Sequence, residues 1–408
     1  MQKSLIAVAV GGALAVIGAA PALAQNATVN VYGTFYGQYG SISNGAKTGT
    51  NEPFQRYDHF QNPGSEIGFR GEEKLGGGLS AWFQCNSSID YRGSTNAQSG
   101  NAHAGSTWCT RNSALGMKGG FGNIFYGNWT TPFTRISTAG NTGSDETGIW
   151  GNSHLLTGTS TTTGITSPSV TPATVGSVSP GVYRRRQNNL LTYETPNFSG
   201  FSAMGAITSR NYASAATSLQ LKTRLWSLGG QYANGPIYVG LGYEKHNDIN
   251  NLGTALAPIG GSERGWTISA SYTFSNNLKL GGVYHDLKTE NTAAIGGDAK
   301  IKTWHIGIDW MISGPHGVRA GYTRAGDLTG NLGGLMGTRP TAGAGPSTSA
   351  DMWQIRYVHM LSKRSEVGLG YSKTNNRANA QYETGGANST QFIGADSSAL
   401  GAFMKHSF

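Results

Sequence analysis

The sequence predicts an all-β fold: a sixteen-stranded antiparallel transmembrane β-barrel with short periplasmic turns and long external loops. Three observations predict it. Apolar residues recur at every second position, and the connections alternate between short and long. The face opposite the apolar one carries Gly, Ser, Thr and charge, which suits a wet wall better than a dry core.

The composition agrees. Length alone, 408 residues, suggests two or three ordinary domains. Yet charged residues are only 12% and glycines number 62, whereas soluble domains carry about 25% charged residues. The polarity therefore comes from turn-forming and hydroxylated residues. Residues 1–24 read as a secretory signal peptide, cleaved before Gln25. Lys3 forms the n-region, Leu5 to Ala20 the apolar stretch, and Ala22-Leu23-Ala24 the small-x-small end. Gly11, Gly12 and Gly18 argue against a membrane anchor. The mature barrel then spans 25–408, and loss of Lys3 lowers the formal charge of +9 by one. No later apolar run approaches the ~20 residues of a membrane helix. An exported chain without a helical span is either soluble outside the inner membrane or a membrane barrel.

The strands follow from period two. In "WTISASYTF", Trp266, Ile268, Ala270, Tyr272 and Phe274 share one face. In "WHIGIDW", Trp304, Ile306, Ile308 and Trp310 oppose His305, Gly307 and Asp309. "IYVGLGY" and "VGLGY" alternate likewise. The apolar faces end in aromatic residues, as an interfacial girdle requires. Short turns fall at 75–78, 119–122, 196–200, 234–235, 275–277, 313–314 and 362–363. Several supply the Gly or Asn that tight hairpins need. Long polar connections fall near 41–61, 90–106, 130–182, 212–219, 248–262, 291–299, 327–349 and 376–397. Seven turns and eight loops make sixteen strands with both ends on the short-turn side. The 130–182 loop is out of scale, and a loop that long is functional or disordered. It holds Asp145 and Glu146, followed by a Thr/Ser-rich stretch.

Two cysteines, Cys85 and Cys109, in an exported chain favour one disulfide. Strict alternation places Cys85 with Phe83 and Cys109 with Arg111, so one cysteine must leave the regular ladder. No Cys/His metal spacing, HExxH, GxSxG, P-loop or dinucleotide fingerprint is present. The expectation is no cofactor, no metal, no catalytic residue and no nucleic-acid partner.

The segments "GSEIGFRGEEKLGGGLSAWFQ", "RNSALGMKGGFGNIFYGNW", "RQNNLLTYETPNFSGFSAM" and "YVHMLSKRSEVGLGY" resemble Gram-negative trimeric general-diffusion porins. The terminal "SSALGAFMKHSF" also resembles the C-terminal assembly signal of such barrels, with His406 where an aromatic or apolar residue is usual. The resemblance implies sixteen strands, a homotrimer in outer-membrane lipid, and a third loop folded into the pore. It further implies basic wall residues facing acidic residues of that loop, a charge ring that sets ion preference. Arg111 matches one wall arginine. Arg186 matches another, in the pattern Arg-x-x-Asn-x-x-x-Tyr-x-Thr-Pro ending at Pro196, and by parity Arg184 shares its face while Arg185 points away. Asp145 and Glu146 are the loop acids. Glu66 and Arg70 share parity and face water. The chain departs from the family at Ser65-Glu66-Ile67-Gly68 and at Gly127-Asn128, where positive residues are usual.

The expected function is a passive channel for small hydrophilic solutes and ions, weakly anion-selective. Alternatives are a channel specific for sugars or organic acids, for which Trp82 and Trp226 would form an aromatic track, an outer-membrane barrel enzyme, or an adhesive surface protein with loop 130–182 projecting outward.

Overall fold

The structure, a computed structural model, describes residues 28–45, 55–92, 108–157, 183–184, 186–208, 224–251, 260–290, 298–330, 345–384 and 392–408. The leader expected over 1–24, the Thr/Ser-rich part of the third loop and Arg185 lie outside these residues. The strands are β1 Thr28–Asn44, β2 Gln55–Gln61, β3 Glu66–Gly76, β4 Leu79–Ser88, β5 Ser113–Gly119 and β6 Gly122–Thr130. They continue with β7 Arg186–Glu194, β8 Phe201–Thr208, β9 Arg224–Asn234, β10 Ile237–Asn251, β11 Gly260–Thr273 and β12 Leu278–Glu290. The last are β13 Ala299–Ser313, β14 His316–Ala325, β15 Thr329–Gly330, β16 Ala350–Met360, β17 Ser365–Asn376 and β18 Ser397–Ser407.

These segments make sixteen barrel strands. β3 pairs with the first half of β1 and β2 with the second, so β2 and β3 are one strand interrupted at Asn62–Ser65. β14 and β15 similarly pair with successive parts of β13. All described neighbours are antiparallel, and β18 pairs with β1 from Thr34↔Ser407 to Asn44↔Ser397. The sheet is therefore closed, and no backbone edge faces lipid. Phe408 completes the seam: its amide donates to the Gly33 carbonyl at 3.1 Å and its ring stacks on Phe35. His406 lies on the outward side and contacts the Ser365 hydroxyl at 2.8 Å.

Alternation sets the two faces. Outward residues such as Leu115, Leu228, Ile268, Ile306, Leu369 and Leu400 are exposed to what would be lipid. Aromatic pairs stand at both ends of this apolar zone, Tyr243–Trp266 and Trp304–Tyr322 on the loop side and Phe201–Tyr232 and Tyr272–Phe274 on the turn side. The seven short turns lie where the sequence puts them. The long loops begin later than expected: residues 41–44, 55–61, 248–251 and 260–262 are strand. There the hydrogen-bond ladder continues where the apolar alternation read from the sequence has stopped.

The disulfide joins Cys85 to Cys109 with Cα atoms 4.6 Å apart. The parity conflict resolves at Cys109, which precedes β5, stands outside the β4–β5 ladder and has φ of 64°.

The third loop runs inside the barrel. Helix α1 (Pro132–Ala139) starts where the Thr131 hydroxyl accepts the Thr134 amide and a proline occupies the first turn. Helix α2 is a single turn, Ser153–Leu156. Inward Ser, Thr and His side chains bond the loop backbone: Ser269 donates to Ile136 O (2.7 Å), Thr303 to Leu156 O (2.6 Å), Ser372 to Ile149 O (2.6 Å) and His305 to Thr142 O (2.8 Å). The polar wall read from the sequence as wholly wet is therefore partly dry. Phe133, Leu155 and Tyr183 pack on Leu287, Ile301 and Met352, and Ile149 and Trp150 pack on Ile42, Val358 and Phe403. Where a loop occupies the lumen, its own backbone satisfies the wall hydroxyls and water leaves.

Gly140 ends α1 against the wall. A Cβ there would stand 2.4 Å from the Gly282 carbonyl and 2.5 Å from Ser269 Cβ. Gly140→Ala should unseat α1 at a cost of about 1–3 kcal/mol, measured as a lower thermal midpoint with sheet content unchanged.

Candidate functional site: the lumenal charge cluster

The loop and the wall meet in a cavity of about 290 Å³ lined by Glu66, Arg111, Asp145, Glu146, Arg186 and Lys405, among others. A second cavity of about 320 Å³ shares Glu66, Arg111 and Arg186 and adds Arg70 and Tyr32. Each side chain is placed by a strand end or a pinned loop. Glu66 opens β3 and Arg186 opens β7. Arg111 stands two residues before β5; its amide bonds Asn86 O at 2.8 Å, and Asn128 Nδ2 supports its carbonyl at 3.0 Å. Asn128, where the family usually has arginine, is thus a backbone brace at the β6–β7 bulge.

The charges are largely paired. Arg111 Nε lies 2.5 Å from Glu66 Oε2, so the unexpected acid at position 66 is matched by the expected arginine. Arg184 bonds Glu146 Oε1 at 2.8 Å. Asp145 is held by a residue the sequence reading missed: Arg356 of β16 bonds it bidentately at 2.6 and 2.8 Å. Tyr36 donates to Asp145 Oδ2 at 2.5 Å and Gln38 at 3.3 Å. Arg356 is nearly fully buried and lies 5.4 Å from the Trp150 ring. Burial works against the Asp145 charge, but the Arg356 guanidinium overrides it and holds the carboxyl below the usual carboxylate range. Burial opposes Glu146 too, and Arg184 brings it below its ordinary value.

Arg186 is different. It is exposed to the lumen, and no carboxylate lies within 4.0 Å of it among the described residues. The same holds for Lys405, on the inward parity of β18 with its ammonium 5.7 Å from the Tyr36 ring. Arg70 lines the second cavity, 5.2 Å from the Tyr32 ring. Arg356 and Lys405 were legible by parity, Arg356 between outward Ile355 and Tyr357 and Lys405 between outward Met404 and His406, but the Asp145 partner is 211 residues from Arg356. Of the two residues of the aromatic-track alternative, Trp226 is on the outward face, and Trp82 packs against Phe125 and Trp129.

A closed sixteen-strand barrel with an apolar belt and a charged, loop-narrowed lumen is a transmembrane channel. The chain belongs to the Gram-negative porin family, whose model matches residues 7–379. It is 27% identical to outer membrane porin protein 32 of Delftia acidovorans over 382 residues, 90% of this chain and 88% of that one. It is 32% identical to major outer membrane protein P.IB of Neisseria lactamica over 129 residues, 31% of this chain and 33% of that protein. Among solved structures, the anion-selective porin from Comamonas acidovorans has the same fold, with TM-score 0.68, 21% identity, and 94% of this chain and all of that one covered. A trimer form of OmpT from Vibrio cholerae matches with TM-score 0.59 and 12% identity, covering 94% of this chain and 100% of that one. The protein is an outer-membrane porin.

Removing one partner of a buried ion pair leaves an uncompensated charge, at about 3–5 kcal/mol. Arg356→Ala should therefore release the loop around Asp145, seen as a larger and noisier single-channel conductance. A second prediction concerns acid. His154 of α2 is buried, and burial pushes its pKa down to about 4. The unfolded chain takes up that proton below ~6.5, so stability falls as pH drops from ~6.5 toward the native value. The Asp145 and Glu146 pairs have lowered native values, so their contribution is complete above ~4–5 and is lost only as pH falls further. His154→Leu should reduce the fall of the thermal midpoint between neutrality and pH ~4 and leave the sharper loss at lower pH in place.

Proposed function

We propose that the porin is a general-diffusion pore for small hydrophilic solutes, weakly selective for anions. The observation that carries this is the imbalance of the cluster. Each of its three carboxylates, Glu66, Asp145 and Glu146, has an arginine at hydrogen-bond distance, 2.5, 2.6 and 2.8 Å away. Arg186 and Lys405, and Arg70 in the adjoining cavity, have no carboxylate within 4.0 Å among the described residues. Surplus positive charge in a low-dielectric constriction raises the local anion concentration. The surplus is small, so the preference is weak. In this reading, Arg70, Arg111, Arg184, Arg186, Glu66, Asp145 and Glu146 line the constriction. The Vibrio cholerae trimer form of the fold supports a homotrimer, and the leader cleaved before Gln25 exports the chain.

Reversal potential in a planar bilayer under a potassium chloride gradient tests the selectivity. Arg186→Ala and Lys405→Ala should each move it toward cations, and Arg186→Ala should do so more than Arg185→Ala. Glu66→Gln frees Arg111 and should move it toward anions. A cation-selective wild-type channel would overturn the anion preference; a folded barrel without current would overturn the pore.

A further inference from the structure

Two histidines stand side by side on the outward face at the turn-side rim. His316 opens β14, directly after the 313–314 turn, and His359 is its direct cross-strand partner on β16. The Met360 amide donates to the Pro315 carbonyl at 2.8 Å, which pins the register at this end of the ladder. Side chains directly opposite in an antiparallel pair have Cβ atoms about 5 Å apart, and the two imidazole centroids are 4.9 Å apart. His316 is exposed and His359 half-buried. No sequence spacing marks the pair, because the two residues lie on different strands.

The orientation of the rings separates this pair from ordinary rim aromatics. The Tyr357 hydroxyl lies 2.6 Å from His316 Nδ1 and 3.4 Å from His359 Nδ1. One phenol oxygen therefore faces the Nδ1 of both rings, and its lone pairs can accept from both N–H groups. Neither Nε2 has a hydrogen-bond partner among the described residues. A metal-ligating histidine gives its other ring N–H to an oxygen, which fixes the tautomer and the ring. Here a single tyrosine serves both rings. Zinc–nitrogen bonds are about 2.1 Å, so two imidazoles on one tetrahedral ion have centroids about 5 Å apart. The observed 4.9 Å matches. The outward neighbours Val318, Tyr357 and Val367 carry no positive charge to repel a cation. We infer that His316 and His359 form an open, two-ligand site for a divalent transition-metal ion of the zinc or copper class, with Tyr357 as its positioning residue. No third His, Cys, Asp or Glu joins the pair among the described residues, so water completes the coordination and the ion exchanges readily. Imidazole ligands favour these ions over magnesium and calcium, which need oxygen.

The test titrates zinc chloride into the untagged, full-length folded barrel in detergent, followed by isothermal calorimetry. The wild type should bind one zinc per chain. His316→Gln and His359→Gln should each weaken binding at least about tenfold, since a lost ligand costs no less than a lost orienting partner. Tyr357→Phe keeps both imidazoles and should weaken binding about tenfold. His406→Gln, on the same rim, should change nothing. One equivalent of copper should show two coupled nitrogens by electron paramagnetic resonance in the wild type and in Tyr357→Phe, and one in either histidine variant. The wild-type spectrum keeps the test valid if a variant folds poorly. Unchanged zinc affinity in either histidine variant would overturn the site, as would a wild-type copper spectrum with a single coupled nitrogen. Wild-type affinity in Tyr357→Phe would overturn the positioning role, and displacement of zinc by millimolar magnesium would overturn the assignment to nitrogen-preferring ions.

Discussion

A polypeptide in hydrocarbon has no water to accept its amide protons, so every backbone group must be paired within the protein. The β1–β18 ladder meets that constraint by closing the sheet, and the rest of the molecule depends on it. Closure gives each strand one lipid face and one enclosed face. It also makes the interior a bounded space in which a loop can be held from all sides.

The third loop shows how the enclosed face is used. A wall of Ser, Thr and His is suited to water, and equally suited to bonding a second layer of backbone. Where α1 lies against β8–β11 and residues 140–157 against β12–β18 and β1, hydroxyls and imidazoles bond loop carbonyls, and apolar side chains fill the remaining space. The acidic tip reaches β16 on one side and the segment before β7 on the other. Asp145 meets Arg356 and Glu146 meets Arg184. The residues that make the loop a charged obstacle also fasten it, so much of the charge at this level is spent on position. In the proposed selectivity, only what is left over, on Arg70, Arg186 and Lys405, acts on the permeating ion.

Glu66 illustrates the same economy. Read along the chain, an acid where relatives have arginine looks like a reversal of sign. In the structure Arg111 lies 2.5 Å away and the pair is close to neutral. Asn128, the other departure, holds the backbone that carries Arg111. Neither role could be read from residue type, because each depends on a neighbour from another strand.

The sequence by itself determined the number of strands, the short turns and the outward face of the strands with clear alternation, and it favoured one disulfide. Those properties come from period-two alternation, turn chemistry and cysteine count, all local along the chain. Arg356 and Lys405 were visible as inward positions, but not as partners of anything. Only the tertiary structure decided where the loop lies, which wall regions are dry, how far the strands rise beyond the apolar zone, and which charges cancel. The physical reason is range. Alternation repeats every two residues, whereas an ion pair such as Asp145–Arg356 acts over a few ångströms between groups 211 residues apart, and only barrel closure brings them together.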